Sequence, residues 1–401
     1  MQPPDYDVLV IGGGITGAGI LREAARLGLR ALLVEQNDFA SGTSSRSSKL
    51  VHGGLRYLAQ GQIGLMRESV HERARLLADG PGLILYLNAL HVLYHSDALP
   101  AALFDFGLRV YALLHGKWAI HRRYPPAAAR LRAPVLTDSG MTALFEYGES
   151  QTDDARLVLR VLREAAESGA QARNYTAAVG LLRDESGRTI GAQLRDRENG
   201  TVDEVRARAV INATGAWADK LRADLGAPPR LRPMRGSHLV FPGWRLRLAQ
   251  TVSFFHPATG RPIFCVPWQG VVLIGTTDVD QRDSLDDEPR PAPEEIAFLL
   301  GAVQARFPAL GLTLADAQAA YAGVRPVADT HTRDPAKASR EAAIWLEDGL
   351  LTVTGGKLTT FRPMALAALE KLRRVLPDLP PPRRDSPALE PLPPLPPHLP
   401  V

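Results

Sequence analysis

Apolar positions along this chain follow two periods. Val8, Leu9, Val10 and Ile11 make a short continuous apolar run that stops at glycine, which predicts a buried strand over residues 7–11. Helical spacing follows over 14–27, and a second apolar run over 31–35 closes a strand–helix–strand unit. Helical spacing returns over 65–77. It returns again at Ala155, Val158, Leu159, Leu162, Ala165 and Ala166, one buried face behind the capping residues Thr152-Asp153-Asp154. Residues 172–210 read as strands parted by turns at Glu185-Ser186-Gly187 and Glu198-Asn199-Gly200. The chain is strand-rich again after Gly215 through Gly275. A helix is predicted over 293–306, a buried strand over 350–354 and a last helix over 360–376. Two longer apolar runs, 83–94 and 98–114, are short or interrupted by Asp105 and Arg109, so they predict buried or amphipathic helices and not membrane spans. From 377 to 401 prolines punctuate the chain, which predicts an extended or disordered tail.

The first turn carries the strongest chemistry. Gly12-Gly13-Gly14-Ile15-Thr16-Gly17 fits GxGxxG between a strand and a helix. Gly12 permits the tight turn, Gly14 lets a pyrophosphate approach the backbone, and Gly17 lets helix and strand pack closely. The helix amino terminus then offers N–H groups to phosphate. Glu35 ends the second strand, where a carboxylate accepts from ribose hydroxyls and disfavours a 2′-phosphorylated cofactor.

The fingerprint alone leaves NAD and FAD open. An apolar strand ending in Ala213-Thr214-Gly215 lies about two hundred residues on, where a two-domain flavoprotein returns to its cofactor. Gly355-Gly356-Lys357, followed by Leu358 and Thr359, gives a second helix amino terminus for an anion or flavin carbonyl. Both favour FAD.

Composition changes the picture little. The chain has 401 residues and a net charge of +4, too small an excess to argue for nucleic-acid binding. One cysteine, Cys265, excludes an intrachain disulfide and a Cys-rich zinc site. The histidines lack paired ligand spacing, so no metal is expected, and no GxSxG elbow points to a hydrolase. Only six of the 47 basic residues are lysine, which draws attention to Lys49 and Lys357 inside small-residue motifs. An apolar strand within the first ten residues argues against a secretory signal, and a cytoplasmic location is expected, peripheral on the membrane face if a membrane is touched.

The segment Thr43-Ser44-Ser45-Arg46-Ser47-Ser48-Lys49-Leu50-Val51-His52-Gly53-Gly54-Leu55-Arg56-Tyr57-Leu58 resembles the FAD-dependent glycerol-3-phosphate dehydrogenases, within the amino-acid-oxidase-like flavoproteins. The likeness continues through Asp153-Asp154-Ala155-Arg156-Leu157-Val158, Asn212-Ala213-Thr214-Gly215-Ala216-Trp217, Arg235-Gly236-Ser237-His238 and Val266-Pro267-Trp268. It extends to Gly275-Thr276-Thr277-Asp278, Gly323-Val324-Arg325-Pro326 and the residues from Gly355 to Arg362. The resemblance implies an α/β fold, α+β overall. A Rossmann-like FAD-binding domain of glutathione-reductase type would be built from 1–80, 151–225 and 346–376. An antiparallel-sheet substrate domain from 81–150 and 226–345 would be interleaved with it, ahead of a Pro-rich tail over 377–401. It implies oxidation of sn-glycerol 3-phosphate to dihydroxyacetone phosphate with flavin as hydride acceptor, electrons passing to a quinone at the membrane or to another acceptor. It also implies a further helical domain where this chain turns proline-rich. That departure touches oligomer formation, membrane docking and quinone reduction more than the hydride step.

For the substrate phosphate the resemblance points to Arg56, Tyr57 and Arg340, with Arg325 and Lys357 nearer the flavin and the reacting hydroxyl. His52 is open to three roles: general base, flavin contact or core histidine. His238 is open in the same way. Thr43, Ser44, Ser48, Leu50, Gly53 and Gly54 sit on the loop expected against the flavin side of the cofactor. Lys49 either pairs with a cofactor phosphate or caps that loop. Two other readings remain: a flavoprotein oxidase of another 2-hydroxy acid or amino acid, and an FAD-binding relative without turnover.

Overall fold

The computed structural model describes residues 3–54, 62–115, 120–329 and 342–391. The chain opens with β1 (Tyr6–Ile11), α1 (Ile15–Arg26) and β2 (Ala31–Val34), the predicted strand–helix–strand unit. Then come α2 (Ile63–Asp79), β3 (Ile84–Tyr94), α3 (Ala101–His115), β4 (His121–Tyr124), the single-turn α4 (Ala129–Arg132) and β5 (Met141–Thr152). The middle of the chain holds α5 (Asp154–Glu167), β6 (Gln171–Arg173), β7 (Thr176–Arg183), β8 (Thr189–Asp196), β9 (Val202–Asn212) and α6 (Ala218–Ala223). Strands β10 (Leu231–Pro242), β11 (Thr251–Phe255), β12 (Pro262–Trp268), β13 (Val271–Gly275) and β14 (Val279–Asp280) precede α7 (Pro293–Arg306) and β15 (Ala319–Ala328). The chain then returns through β16 (Ala342–Glu347), β17 (Leu350–Gly355) and α8 (Phe361–Leu372).

Among the described residues these strands form two sheets. The first runs β16-β17-β9-β1-β2-β6, with β7 and β8 folded off β9. Its inner strands β17, β9, β1, β2 and β6 are parallel, and β16 returns antiparallel on β17. The second runs β14-β10-β13-β12-β11-β3-β5-β4, with β15 paired to β10, and is antiparallel apart from the β11–β3 pair. The chain thus alternates between sheets: 6–34, 171–212 and 342–355 build the first, 84–152 and 231–328 the second.

The inner strands of the first sheet are continuous apolar runs because helices cover them. Ile20, Leu21 and Ala24 of α1 join Leu157 and Val161 of α5 and Ala365 and Leu369 of α8 in one core, all at most 1% exposed. Helix α5 starts as the pattern predicts, with Asp153 accepting from the Arg156 N–H at its amino terminus.

Two expectations are corrected. Residues 83–94 were expected to be helical and instead form β3. That strand pairs on one side with β5, from Ile84↔Thr152 to Leu93↔Ala143, and on the other with β11. A strand paired on both sides and buried on most of its length reads as an unbroken apolar run, which periodicity cannot separate from a buried helix. The second run does fold as α3, and no helix among the described residues is long and apolar enough to cross a membrane.

The proline-rich tail, as far as residue 391, has neither helix nor strand and turns at 377–379 and 384–386, but it is not loose. Leu379, Ala388 and Leu389 are buried in the α1–α5–α8 core. Since prolines deny this segment a ladder, side chains satisfy its backbone instead. Arg22 Nη2 donates to the Pro387 carbonyl at 3.1 Å, Ala388 N donates to Asp79 Oδ2 at 2.7 Å, and Glu390 N donates to Glu164 Oε1 at 3.0 Å. Arg22 itself is fully buried, which is tolerable because its Nε meets Glu164 at 2.7 Å and its Nη1 meets Glu23 at 2.8 Å.

Candidate active site

Three strand ends meet at the carboxyl edge of the parallel sheet, in register Ile11↔Asn212 and Asn212↔Thr352. This is where open α/β sheets bind ligands. Backbone geometry explains the glycines there. Gly12 has φ +115°, and a Cβ on it would lie 2.5 Å from the Ala213 carbonyl oxygen, so the first turn and the β9 end touch directly. A Cβ on Gly17 would lie 1.9 Å from the Gly12 oxygen, an impossible approach. Gly14 caps α1 without any side-chain bond, and Thr16 follows in its first turn. The Ile15 N–H donates to Ser44 Oγ at 3.0 Å, which ties the helix start to the Ser/Thr segment.

Glu35 Oε2 accepts from Gly13 N at 2.7 Å and Oε1 from Asn37 N at 2.9 Å, so its carboxylate stands beside the glycine turn. Thr214 bonds back to Asn212 through N–H and hydroxyl, and Gly215, at φ +59°, has nothing among the described residues within 4 Å of where a Cβ would point. Thr354 of β17 donates to the Gly215 oxygen at 3.1 Å. Gly355 and Gly356 both have positive φ, and a Cβ on Gly356 would meet Met364 Sδ at 2.1 Å. Lys357 then caps the short 3-10 helix Leu358–Thr360, within which Thr359 is buried. Glycine-only close approaches, an acid at the β2 end and a helix start capped by glycine fit an adenine dinucleotide lying across these strand ends.

The segment 41–54 carries the site from the first sheet to the second. Thr43 Oγ1 donates to the Val324 carbonyl of β15 at 2.5 Å. Lys49, in the left-handed region at φ +60°, turns its ammonium inward to the Ser45 carbonyl at 2.8 Å and to the buried Asp154 carboxylate. Both contacts tie the loop to itself and to the start of α5. Ser47 Oγ donates to the same Asp154 at 2.6 Å, and Leu50 bridges to Gln151 of β5. His52 is exposed, whereas Gly53 is buried, with its N–H donating to Glu149 Oε2 at 3.3 Å. Gly54 again has positive φ.

The two candidate histidines part company. His238 of β10 is 1% exposed, its Nε2 lies 2.7 Å from Ser48 Oγ, and its ring stacks on Tyr321 at 4.6 Å. Burial, helped by the charges of Arg325 and Lys49, pushes its pKa down to about 3, so the ring is neutral at physiological pH. Its Nδ1 is buried and has no hydrogen-bond partner among the described residues.

Arg325, on β15, donates from Nη2 to Thr276 Oγ1 at 2.7 Å and from Nη1 to Asp278 Oδ1 at 3.1 Å. Lys357 Nζ lies 3.3 Å from Ser69 Oγ of α2. Arg56, Tyr57 and Arg340 lie outside the described residues. Tyr321, Glu149 and Asp278 were not singled out from sequence. Only Asp278 carried a signal, as part of a quoted motif, because the other two reach the site through strand pairing that no local spacing reveals.

Residues 7–362 match the FAD dependent oxidoreductase family, and the chain belongs to it. FAD is therefore its cofactor, and the cradle above is where this chain can hold it. The chain is 36% identical over 381 residues to an aerobic glycerol-3-phosphate dehydrogenase of Staphylococcus saprophyticus, covering 94% of this chain and 68% of that protein. It is 37% identical to the aerobic glycerol-3-phosphate dehydrogenase of Bacillus subtilis over 93% of this chain and 68% of that one. The crystal structure of the glycerol-3-phosphate dehydrogenase from Bacillus halodurans complexed with FAD superposes with TM-score 0.77 at 32% identity, covering 95% of this chain and 67% of that one. L-alpha-glycerophosphate oxidase from Mycoplasma pneumoniae shares the fold, with TM-score 0.73 at 18% identity over 97% of this chain and 99% of that one.

Proposed function

We propose that this protein oxidises sn-glycerol 3-phosphate to dihydroxyacetone phosphate. Bound FAD supplies the two-electron acceptor for the C2 hydride. The observation that carries the reading is family membership joined to 36% identity, over 94% of the chain, with an aerobic glycerol-3-phosphate dehydrogenase.

The chain's own residues have three tasks. A phosphate dianion has to be gripped, and Arg56, Tyr57 and Arg340 are proposed for that grip by resemblance. Charge developing on the C2 oxygen needs a cation, which Arg325 and Lys357 supply from the second sheet and from the β17 end. The hydroxyl proton needs an acceptor. His238 is a poor one, since burial holds its pKa near 3 and its Nε2 is engaged with Ser48. His52 is exposed on the loop that crosses the site, and the proton is assigned to it. The substrate is a small anion, and electrons leave to a quinone or another acceptor. A quinone route places the protein on the cytoplasmic membrane face.

The test is anaerobic. Purified holoenzyme receives sn-glycerol 3-phosphate, glycerol, lactate or an amino acid while the oxidised flavin band is followed. Bleaching by the phosphate ester alone is expected. Bleaching by lactate or the amino acid instead would make the protein an oxidase of those acids, and an unbleached flavin would leave a binding-only relative.

A further inference from the structure

We propose that Asp278, together with Thr276, is a positioning residue that fixes the guanidinium of Arg325 against the anion bound at the site. The proposal rests on the reading of Arg325 as a site cation.

Strands β10 and β15 pair with Met234 opposite Arg325 and Gly236 opposite Gly323. From there the Arg325 side chain passes over the backbone of Gly236. A Cβ on Gly236 would sit 2.3 Å from Nη2 and 2.6 Å from Nη1, so glycine is what lets the guanidinium lie there. Its nitrogens then meet the 276–278 turn. Nη2 donates to Thr276 Oγ1 at 2.7 Å, and Nη1 donates to the Thr277 carbonyl at 3.2 Å and to Asp278 Oδ1 at 3.1 Å. The Arg325 side chain is nonetheless 24% exposed, whereas that of Asp278 is 2% exposed.

The turn is itself held from behind. Glu295 of α7 accepts from Thr277 Oγ1 at 2.5 Å, from Ser237 Oγ at 2.8 Å and from Arg235 Nε at 2.8 Å. The Ser237 N–H donates to Thr277 Oγ1 at 2.8 Å, and Arg261 holds the second Asp278 oxygen at 3.2 Å. Asp278 is thus a buried carboxylate fixed on one side by Arg261 and presented on the other to a partly open cation.

Charge and geometry pull in opposite directions here, and that makes the proposal testable by sign. A carboxylate beside a site cation weakens the binding of any anion by simple Coulomb repulsion, so removing it should tighten binding. If Asp278 acts by orienting Arg325, removing it weakens binding instead, because the fork no longer faces the ligand.

Four holoenzymes decide between them: wild type, Asp278→Asn, Arg325→Ala and the double variant. One readout is the dissociation constant for sulfite, an anion that adds to oxidised flavin and needs no substrate. The other is the half-saturating concentration of sn-glycerol 3-phosphate in anaerobic flavin bleaching. Asp278→Asn is expected to weaken both by about tenfold, the scale of one hydrogen bond to a charged group. The same change in the Arg325→Ala background is expected to have no effect, since Asp278 acts through Arg325. Unchanged or tighter binding in Asp278→Asn overturns the proposal. So does an equal loss in both backgrounds, which would show a role in the fold alone. Should Asp278→Asn fail to retain FAD, Thr276→Val removes a neutral acceptor from the same guanidinium and is read in the same cycle, with a loss of about threefold expected. A wild-type flavin that sn-glycerol 3-phosphate does not bleach sinks the substrate reading, and the sulfite cycle still decides the role of Asp278.

Discussion

Two histidines that look alike in sequence are separated by their surroundings. His238 is enclosed between Ser48 and Tyr321, and burial takes its pKa down to about 3, so its ring is neutral near pH 7 with Nε2 engaged by Ser48. His52 is exposed, on a loop whose next N–H is held by the buried Glu149. Replacing His52 by alanine is expected to leave FAD bound while slowing anaerobic flavin reduction by about 10²–10⁴-fold, the usual span for a lost general base. Single-turnover reduction at the wild-type rate would remove His52 from that role. The glycine cradle was legible residue by residue because each glycine answers a steric demand: Gly12 against Ala213, Gly17 against Gly12. The partners of Arg325 and His238 were not. Asp278 is separated from Arg325 by more than forty residues and meets it only through the fold around β10, and Tyr321 reaches His238 only because β15 pairs with β10 in that register.

At the scale of elements, local pattern succeeded where one face of a helix or one short strand decides the outcome. The βαβ unit, α5 with its Asp153 cap and α7 over Pro293–Arg306 all follow from spacing and end signals. It failed for β3, whose alternate residues pack into two separate apolar clusters, Leu90 and Val92 on one face and Ala89 and Leu93 on the other, and for the tail, whose prolines conceal the buried Leu379, Ala388 and Leu389. Leu389 tests the tail. It is fully buried in the core shared by α1, α5 and α8, so Leu389→Ala should lower the unfolding free energy by about 2–5 kcal/mol, as for other core leucines. A loosely attached tail would give no change in the urea midpoint. Leu113, which is 83% exposed on α3, is the matched control and should be near neutral when replaced by alanine.

On the scale of the whole molecule, the proposed cofactor site belongs to no single stretch of chain. Residues 12–17, 43–48, 213–215 and 355–359 come together only when β1, β9 and β17 are in register and β15 of the second sheet receives Thr43. An unfolded chain keeps none of this arrangement, so FAD binds the folded state alone and must stabilise it by mass action. At free FAD a hundredfold above its dissociation constant the gain is about 2.7 kcal/mol, and each further tenfold adds about 1.4 kcal/mol. The deflavinated protein, titrated with FAD and unfolded thermally, should show a midpoint that climbs steadily with the logarithm of FAD concentration. Protection from proteolysis should extend in parallel to the 41–54 segment, because Ser44 and Thr43 link the α1 start to β15. A midpoint indifferent to FAD would mean that these strand ends do not close on the cofactor, and the assembly of the site from distant segments would have to be abandoned. A midpoint that rises while the 41–54 segment stays open to protease would confine the cofactor contact to the first sheet and leave the second sheet's cations away from it.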